Sequence, residues 1–318
     1  MLDLANKRIL VTGGAGAIGT NLVKRLLEID GTEVVVIDNL SSGSVKGLNL
    51  ERIEFHHADI CDDNALIKIF SKPVDVIFHL AAFFANQNSI DHPEDDLKTN
   101  ILGTVKLLEW SRKINISKFI YFNTSCMYDQ EKSFSEESFH FDYHTPYSIS
   151  KHSAEKYALL YYSHYGVPVV SVRVFNSYGP HEHPGLYRNV IPNFIEKALK
   201  GESLTVMGDG TDTRSFTFVS DLIEGVLLLA QKDNIVGETF NIGNDIETRI
   251  IDLAETINRL TLNESTVVFI PKRDWDKSSR RKPDIKKAKT VLGYQADTDL
   301  ENGLIQTIEW FKNPVQII

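Results

Sequence analysis

Tyr147 and Lys151 stand four residues apart, a spacing that puts both side chains on one face of a helix. A free tyrosine titrates near pH 10, about three units too high to serve as a base at neutrality. A neighbouring ammonium favours the phenolate, so the pair reads as a base for removing a proton from an alcohol. Thr145 and Pro146 precede them and suit the N-cap and first turn of that helix. The same spacing recurs at Tyr128 and Lys132, in a polar stretch without helical periodicity. That second pair is read as a surface coincidence. A third group comes from the end of an apolar run, Phe122-Asn123-Thr124-Ser125-Cys126. Either a hydroxyl there binds the oxygen that Tyr147 deprotonates, or Thr124 and Ser125 only cap the strand.

Oxidising an alcohol needs an electron acceptor, and residues 8–19 offer a place for one. Arg8-Ile9-Leu10-Val11-Thr12 is a short β-rich run that feeds Gly13-Gly14-Ala15-Gly16-Ala17-Ile18-Gly19. A helical pattern then follows in Ile18, Leu22, Leu26 and Ile29. Strand, glycine turn and helix N-terminus together form a corner that accepts a pyrophosphate. A second strand, Glu33-Val34-Val35-Val36-Ile37, ends on Asp38 about 20 residues further on, where a carboxylate accepts ribose hydroxyls. The same charge repels a 2′-phosphate, so NAD is expected rather than NADP. A bound nicotinamide, being positive, would add to the pull of Lys151 on Tyr147.

These residues need a scaffold that brings strand ends together. Strands are expected at 8–12, 33–37, 53–56, 74–80, 117–123 and 168–174. Helices are expected between them at 17–29, 62–71, 94–114 and 147–165. Such alternation predicts an α/β fold, a doubly wound parallel Rossmann sheet with its site at the C-terminal strand ends. After Gly179-Pro180 the rhythm changes: a polar connection, a helix near 190–200, a strand at 204–206, and a last helix near 300–311. The expected division is an NAD-binding domain over 1–176 and a smaller α/β substrate-binding domain over 177–318. Elements within 215–243 are expected to return to the first.

Length and composition fit a globular protein with a substantial core: 318 residues, 42% hydrophobic and 24% charged. A net charge of −9 argues against nucleic-acid partners and acidic membranes. Basic residues cluster at Arg280, Arg281, Lys282, Lys286, Lys287 and Lys289, as a solvated face whose first members could meet a phosphate. Cys61 and Cys126 form no metal or disulfide spacing, and no metal site is expected. No run reaches the ~20 apolar residues of a membrane span. The first strand begins close to Met1 without a signal-like apolar stretch, and a cytoplasmic location is expected.

Taken together, the motifs resemble the extended short-chain dehydrogenase/reductase family, specifically its NAD-dependent nucleotide-sugar epimerases and dehydratases. The resemblance runs from the Gly13–Gly19 turn through His79-Leu80-Ala81-Ala82, Asn100, Thr124, and Tyr147 with Lys151. It continues through Arg173-Val174-Phe175-Asn176-Ser177-Tyr178-Gly179-Pro180, Gly208-Asp209-Gly210 with Arg214, and Arg281-Lys282-Pro283-Asp284-Ile285. It implies a catalytic set of Thr124, Tyr147 and Lys151. For the cofactor it implies Gly13, Gly16, Ala17, Ile18, Gly19, Asp38, Asn39, Asp59, Ile60, Leu80, Ala81, Ala82 and Asn100, with Tyr147 and Lys151. For a nucleotide-sugar substrate it implies Ser89, Ser125, Asn176, Val190, Thr205, Arg214 and Arg281. It also implies a homodimer built on helices near 94–114 and 147–165, where Trp110, Tyr157, Tyr161 and Tyr162 supply apolar surface.

Within that family the reaction is written just after the threonine. The resemblance implies an Asp-Glu pair there in 4,6-dehydratases and Thr-Ser-Glu in UDP-glucuronate decarboxylases. This chain has Thr124-Ser125-Cys126, without the acid, although Arg281-Lys282-Pro283-Asp284-Ile285 is similar to the decarboxylases. Simple 4-epimerisation of a UDP-sugar is therefore the expected reaction, with dehydration and decarboxylation as alternatives. Ser125-Cys126-Met127-Tyr128 also resembles the segment of 3,5-epimerases in which the cysteine is an acid/base. There it pairs with a residue after Tyr-Gly-Pro, and here His181 and His183 follow. The plainer reading makes Cys126 a small buried hydrophobe and the histidines loop residues. A non-catalytic, NAD-sensing regulator is the reading from another class.

Overall fold

The computed structural model describes residues 1–128, 134–136, 139–141, 144–273 and 279–313. Six strands alternate with helices in the first part of the chain. They are β1 (Arg8–Thr12), β2 (Glu33–Asp38), β3 (Ile53–His57), β4 (Val76–His79), β5 (Lys118–Thr124) and β6 (Val169–Val174). The helices among them are α1 (Ala17–Leu26), α2 (Asp63–Ile69), α3 (Asn86–Asp91), α4 (Pro93–Leu97), α5 (Thr104–Ile114) and α6 (Pro146–Tyr165). Short strands follow: β7 (Ser177–Tyr178), β8 (Leu204–Met207), β9 (Thr213–Ser215), β10 (Thr217–Phe218), β11 (Thr239–Ile242), β12 (Glu247–Arg249), β13 (Val267–Ile270) and β14 (Arg280–Arg281). With them come α7 (Val190–Leu199), α8 (Val219–Gln231), α9 (Ile250–Thr261) and α10 (Leu300–Lys312).

The main sheet is parallel throughout, in the order β11-β6-β5-β4-β1-β2-β3. Every residue of β1, β4 and β5 is buried, which requires cover on both faces. Alternation along each strand sorts the apolar side chains between two cores. Val11, Val36 and Phe78 pack with Leu22 and Leu26 of α1 and Val226 and Leu229 of α8. Leu10, Val35 and Ile77 face the other way, toward Leu66 of α2, Leu107 and Leu108 of α5, and Ala154 and Ala158 of α6. A third core joins Phe194 and Ile195 of α7, Leu253 and Ile257 of α9, and Leu304 and Ile308 of α10.

The chain runs from β1 outward to β3 and then crosses back to β4, which lies on the other side of β1. Connections leaving β1 and β4 therefore diverge, and a crevice opens at their C-terminal ends. The expected helix over 94–114 is interrupted by a π-helical stretch, Lys98–Gly103. Within it the Asn100 carbonyl accepts from the Thr104 hydroxyl at 2.7 Å, and the Asn100 side chain turns inward to Phe83. Short α3 and the seventh strand β11 lie outside the strands and helices read from periodicity.

At the opposite end of the sheet, Arg8 of β1 reaches Glu54 of β3 at 2.8 Å and the Ile69 carbonyl at 3.1 Å. Burial works against the Glu54 carboxylate, but Arg8 and His56 outweigh it and hold its pKa down at about 2. A depressed carboxyl stabilises the fold fully above its ordinary range, and this is lost as pH falls through 4.5 toward 2. Glu54→Gln is expected to lower the urea midpoint at pH 6 and to match the parent near pH 2. Equal deficits at both pH values would contradict the ion-pair account.

Candidate active site

A cleft of about 430 Å³ lies at the crevice and is lined by both halves of the chain. Its floor is the glycine turn. Gly13 has φ +69°, and a Cβ there would lie 2.7 Å from the Ala81 nitrogen. A Cβ on Gly19 would sit 2.2 Å from the Gly13 oxygen, so neither position admits a side chain. α1 starts from Gly16 with no side-chain cap, leaving its first N–H groups facing the cleft as anion donors. Asp38 ends β2 and accepts from the Ala15 and Leu40 nitrogens at 2.9 and 2.8 Å. Those two bonds leave lone pairs on each oxygen for vicinal hydroxyls. Asn39 donates to Asp59 at 3.0 Å and joins the β2 and β3 connections beside it. Turn, helix end and acid together fit a dinucleotide with a free 2′-hydroxyl.

The reactive groups enter from β5 and α6. α6 is built to start at one place: Thr145 and Ser148 form a reciprocal capping box, and Pro146 opens the first turn. The Tyr147 nitrogen donates to Ser89 Oγ at 3.0 Å, which fixes the helix start against α3. Tyr147 packs edge-on to Phe84 at 5.9 Å, and its hydroxyl pairs with Thr124 at the end of β5. Lys151 Nζ donates to the Phe122 carbonyl at 2.6 Å and lies 4.5 Å over the Tyr121 ring. Burial pushes the Lys151 ammonium down to about 7, against the pull of Asp96 and Glu155. Burial pushes the Tyr147 phenol well above its ordinary range, with Cys126 and Asp96 adding to the shift. The net direction is opposite to that expected from a neighbouring lysine, because desolvation of the phenolate dominates. A positively charged group bound in the cleft would favour the phenolate.

Of the residues singled out in the sequence, Gly13, Gly16, Ala17, Ile18, Gly19, Asp38, Asn39, Asp59, Ile60, Leu80, Ala81 and Ala82 all line this cleft. So do Thr124, Ser125, Cys126, Tyr147, Lys151, Asn176 and Arg281. Asn176 donates to the Ser215 carbonyl at 2.9 Å. Arg281 places Nη1 3.7 Å from Cys126 Sγ, and Asn86 places Nδ2 3.6 Å from it. Arg281 Nε is buried and has no hydrogen-bond partner among the described residues, as suits a donor that awaits an anion.

Five others are placed elsewhere. Ser89 and Asn100 are fully buried behind the wall, where they hold the Tyr147 backbone and the Phe83 backbone. Val190 packs with the third core, Thr205 accepts from Lys197 at 2.8 Å, and Arg214 pairs in register with Arg281 in the small sheet. None of these five lines the cleft. Tyr128 is not a surface residue: it is buried, accepts from Arg173 and donates to Asn241. Lys132 lies outside the described residues. His181 and His183 flank Trp310 at 5.3 Å each, with Lys24 3.1 Å from His181, and neither lines the cleft.

The cleft is completed by Phe84 and Asn86 after β4 and by Glu182, Arg188 and Asn189 on the polar connection after Pro180. Glu182 is the least expected: a buried acid that accepts from Asn189 at 2.6 Å and is pushed up to about 7 by burial. Only its place two residues beyond Pro180 signalled it. Among the described residues no three His, Cys, Asp or Glu side chains converge as metal ligands. None of the described helices is long and apolar enough to cross a membrane.

Comparison with known proteins agrees with this geometry. Residues 9–243 match the model of the NAD dependent epimerase/dehydratase family. UDP-glucuronic acid decarboxylase 1 of Danio rerio is 34% identical over 316 residues, covering 98% of this chain and 74% of its own. The structure of an epimerase from Methanothermobacter thermautotrophicus superimposes with a TM-score of 0.95 at 40% identity, covering 97% of this chain and 93% of the other. UDP-glucose 4-epimerase from Thermotoga maritima, solved with UDP-glucose, gives a TM-score of 0.91 at 36% identity over 97% of this chain and 100% of its own. With a glycine cradle, a ribose acid and a buried Tyr147–Lys151 pair meeting at one switch point, the chain belongs to the NAD-dependent epimerase/dehydratase family.

Proposed function

We propose that this chain is a 4-epimerase acting on a UDP-sugar. The observation that carries the reading is what surrounds Tyr147: Thr124, Lys151 and Cys126, with Arg281 and Asn86 as donors to the cysteine. No carboxylate stands at position 126 to remove a second proton, as dehydration requires. The solved relative that carries UDP-glucose supports UDP as the nucleotide.

In this reading Tyr147 takes the proton of the sugar 4-hydroxyl while Thr124 holds the same oxygen. The Lys151 ammonium, one helical turn away, favours the phenolate. NAD, held by the Gly13–Gly19 turn and Asp38, would supply the acceptor and donor for the C4 hydride. The 4-keto sugar would turn within the cleft to present its other face for return of the hydride, and Tyr147 gives its proton back to the C4 oxygen. Asn176 and Arg281 hold the diphosphate, Arg281 through the N–H that lacks a partner. Residues 1–176 serve as the cofactor domain and 177–318 as the sugar domain, except that α8 and β11, within 215–243, return to the first.

Cys126 supports a second reading, a 3,5-epimerase, because two donors converge on its sulfur. One experiment separates the two. Incubation with UDP-hexoses, UDP-N-acetylhexosamines and UDP-uronates in deuterated water is expected to give 4-epimers without deuterium at C3 or C5. Deuterium at C3 or C5, lost in Cys126→Ser, supports the second reading. Carbon dioxide or a stable 4-keto product without an epimer refutes the first.

We also propose a homodimer through α4–α6. Leu97, Leu102, Tyr157 and Leu160 are 58%, 44%, 43% and 41% exposed on this face, a concentration of apolar surface that suits self-association. Of the other aromatic residues on these helices, Trp110 is half-buried and stacks on Phe70, Tyr161 is buried and Tyr162 is 37% exposed. Two free cysteines, Cys61 and Cys126, fit a reducing cytoplasm.

A further inference from the structure

Asp96 is the least explained charge near the reactive pair. It lies on α4, is 1% exposed, and makes no ion pair among the described residues within salt-bridge distance. Its Oδ1 accepts from Asn100 Nδ2 at 2.7 Å, and its carboxylate also pairs with the Ser150 hydroxyl. Asn100 Nδ2 lies 3.0 Å from Ser150 Oγ, and Ser150 Oγ lies 3.2 Å from the Tyr147 carbonyl. A buried acid is thus clamped to the α6 turn that carries Tyr147 and Lys151. A carboxylate so placed is costly unless a positive charge answers it.

Lys151 is that charge. It follows Ser150 on α6, is 3% exposed and makes no ion pair among the described residues. Burial pushes the Asp96 carboxyl up to about 6 against Ser150, Lys151 and Asn100, and Asp96 and Glu155 are the acids that pull the ammonium up. Glu155, however, is committed to Arg173 at 2.7 Å and to Ser171 at 2.6 Å. The remaining neighbours are not cations or anions at neutral pH. His79 on β4 is held neutral by burial and by Lys151, and Tyr121 on β5 is held protonated by burial, Glu155, Tyr147 and Asp96. Cys126 lines the cleft together with Tyr147. Asp96 is therefore the uncommitted counter-charge of the pair.

We propose that Asp96 is a positioning residue of the reaction: clamped by Asn100 and Ser150, it keeps Lys151 cationic one helical turn from Tyr147. The inference rests on the role given above to Tyr147 and Lys151, but not on which sugar reacts. Asp96 lies behind the wall rather than in the cleft lining, so it acts through Lys151 and touches no substrate. Its charge has a second consequence: it opposes the Tyr147 phenolate. Loss of the charge must then move both titrations in the same direction, toward acid.

The test is Asp96→Asn, which keeps an acceptor for Asn100 and removes the charge. Lys151 is read by NMR of the protein labelled at lysine Nζ, with Lys151→Met to assign the signal. Its midpoint is expected to fall by about one pH unit. With NAD and the accepted UDP-sugar, both limbs of the kcat/KM profile are expected to move to lower pH. An unmoved midpoint, or a profile scaled down equally at every pH, would overturn the proposal and leave Asp96 a purely structural group. Should Asp96→Asn fail to fold, Asp96→Thr removes the charge with a smaller acceptor and gives the same readout. Absence of any epimer from the parent chain, with the Lys151 shift intact, would instead count against the 4-epimerase reading alone.

Discussion

Tyr147→Phe is expected to lower kcat by about 10²–10⁴-fold, the range of a lost general acid–base group, while NAD affinity stays within a few-fold of the parent. The two effects separate because the hydroxyl and the ring do different things. The ring holds its place against Phe84, and the backbone nitrogen is fixed by Ser89; both contacts survive the substitution. The cradle at Gly13–Gly19 and Asp38 is built by other elements and is untouched. The hydroxyl alone faces Thr124, and it alone can exchange a proton with the sugar. Burial holds that hydroxyl above its ordinary range, so the parent rate is expected to rise with pH on its acid limb. In Tyr147→Phe that limb should vanish along with the rate. Steady-state turnover on the accepted UDP-sugar and calorimetric titration with NAD measure both halves. Near-normal turnover would remove Tyr147 from the mechanism.

Glu155→Gln is expected to destabilise the fold by about 3–5 kcal/mol, the range for breaking a buried ion pair from one side. Glu155 is fully buried and Arg173 is 4% exposed. The guanidinium meets both carboxylate oxygens, Nε at 3.1 Å and Nη2 at 2.7 Å, and its Nη1 reaches Tyr128 at 2.9 Å. It also lies 3.9 Å over the Phe139 ring. Burial opposes the Glu155 carboxylate, yet Arg173 and Ser171 hold its pKa below the usual range. Removing the charge strands Arg173 among aromatic rings with no anion. The pair's stabilisation is present above the ordinary carboxylate range and fades as pH falls below it. Urea unfolding at pH 7 checks the size, and a loss under 1 kcal/mol would contradict it. Replacing both residues together, Glu155→Leu with Arg173→Met, should recover much of the loss, because neither charge is then left buried.

Much of the cofactor side was legible because it is local. The Gly13–Gly19 turn packs onto Leu80–Ala81, and steric exclusion of any Cβ there leaves a fixed spacing in the sequence. Asp38 follows from the length of one helix and one strand. Strands of parallel sheets are buried on both faces, so their apolar runs announced β1 to β6. The sugar side was less legible. Val190, Thr205 and Arg214 are implied by the resemblance yet lie off the cleft lining, whereas Glu182, Arg188 and Asn189 line it from a connection without periodicity. Tyr128 shows the limit of spacing. Its surroundings in sequence are polar, yet Arg173 and Asn241, brought in by β6 and β11, bury it and satisfy its hydroxyl.

By itself the sequence determined the parallel sheet, the NAD cradle and the identity of the Tyr147–Lys151 pair, since each follows from steric and periodic rules acting within about 40 residues. Only the tertiary structure decided the electrostatics of that pair. Burial, Asp96 from α4 and the Glu155–Arg173 tie set how Lys151 and Tyr147 hold their protons. Those effects depend on distances and dielectric between elements far apart in the chain, and no spacing in the sequence encodes them.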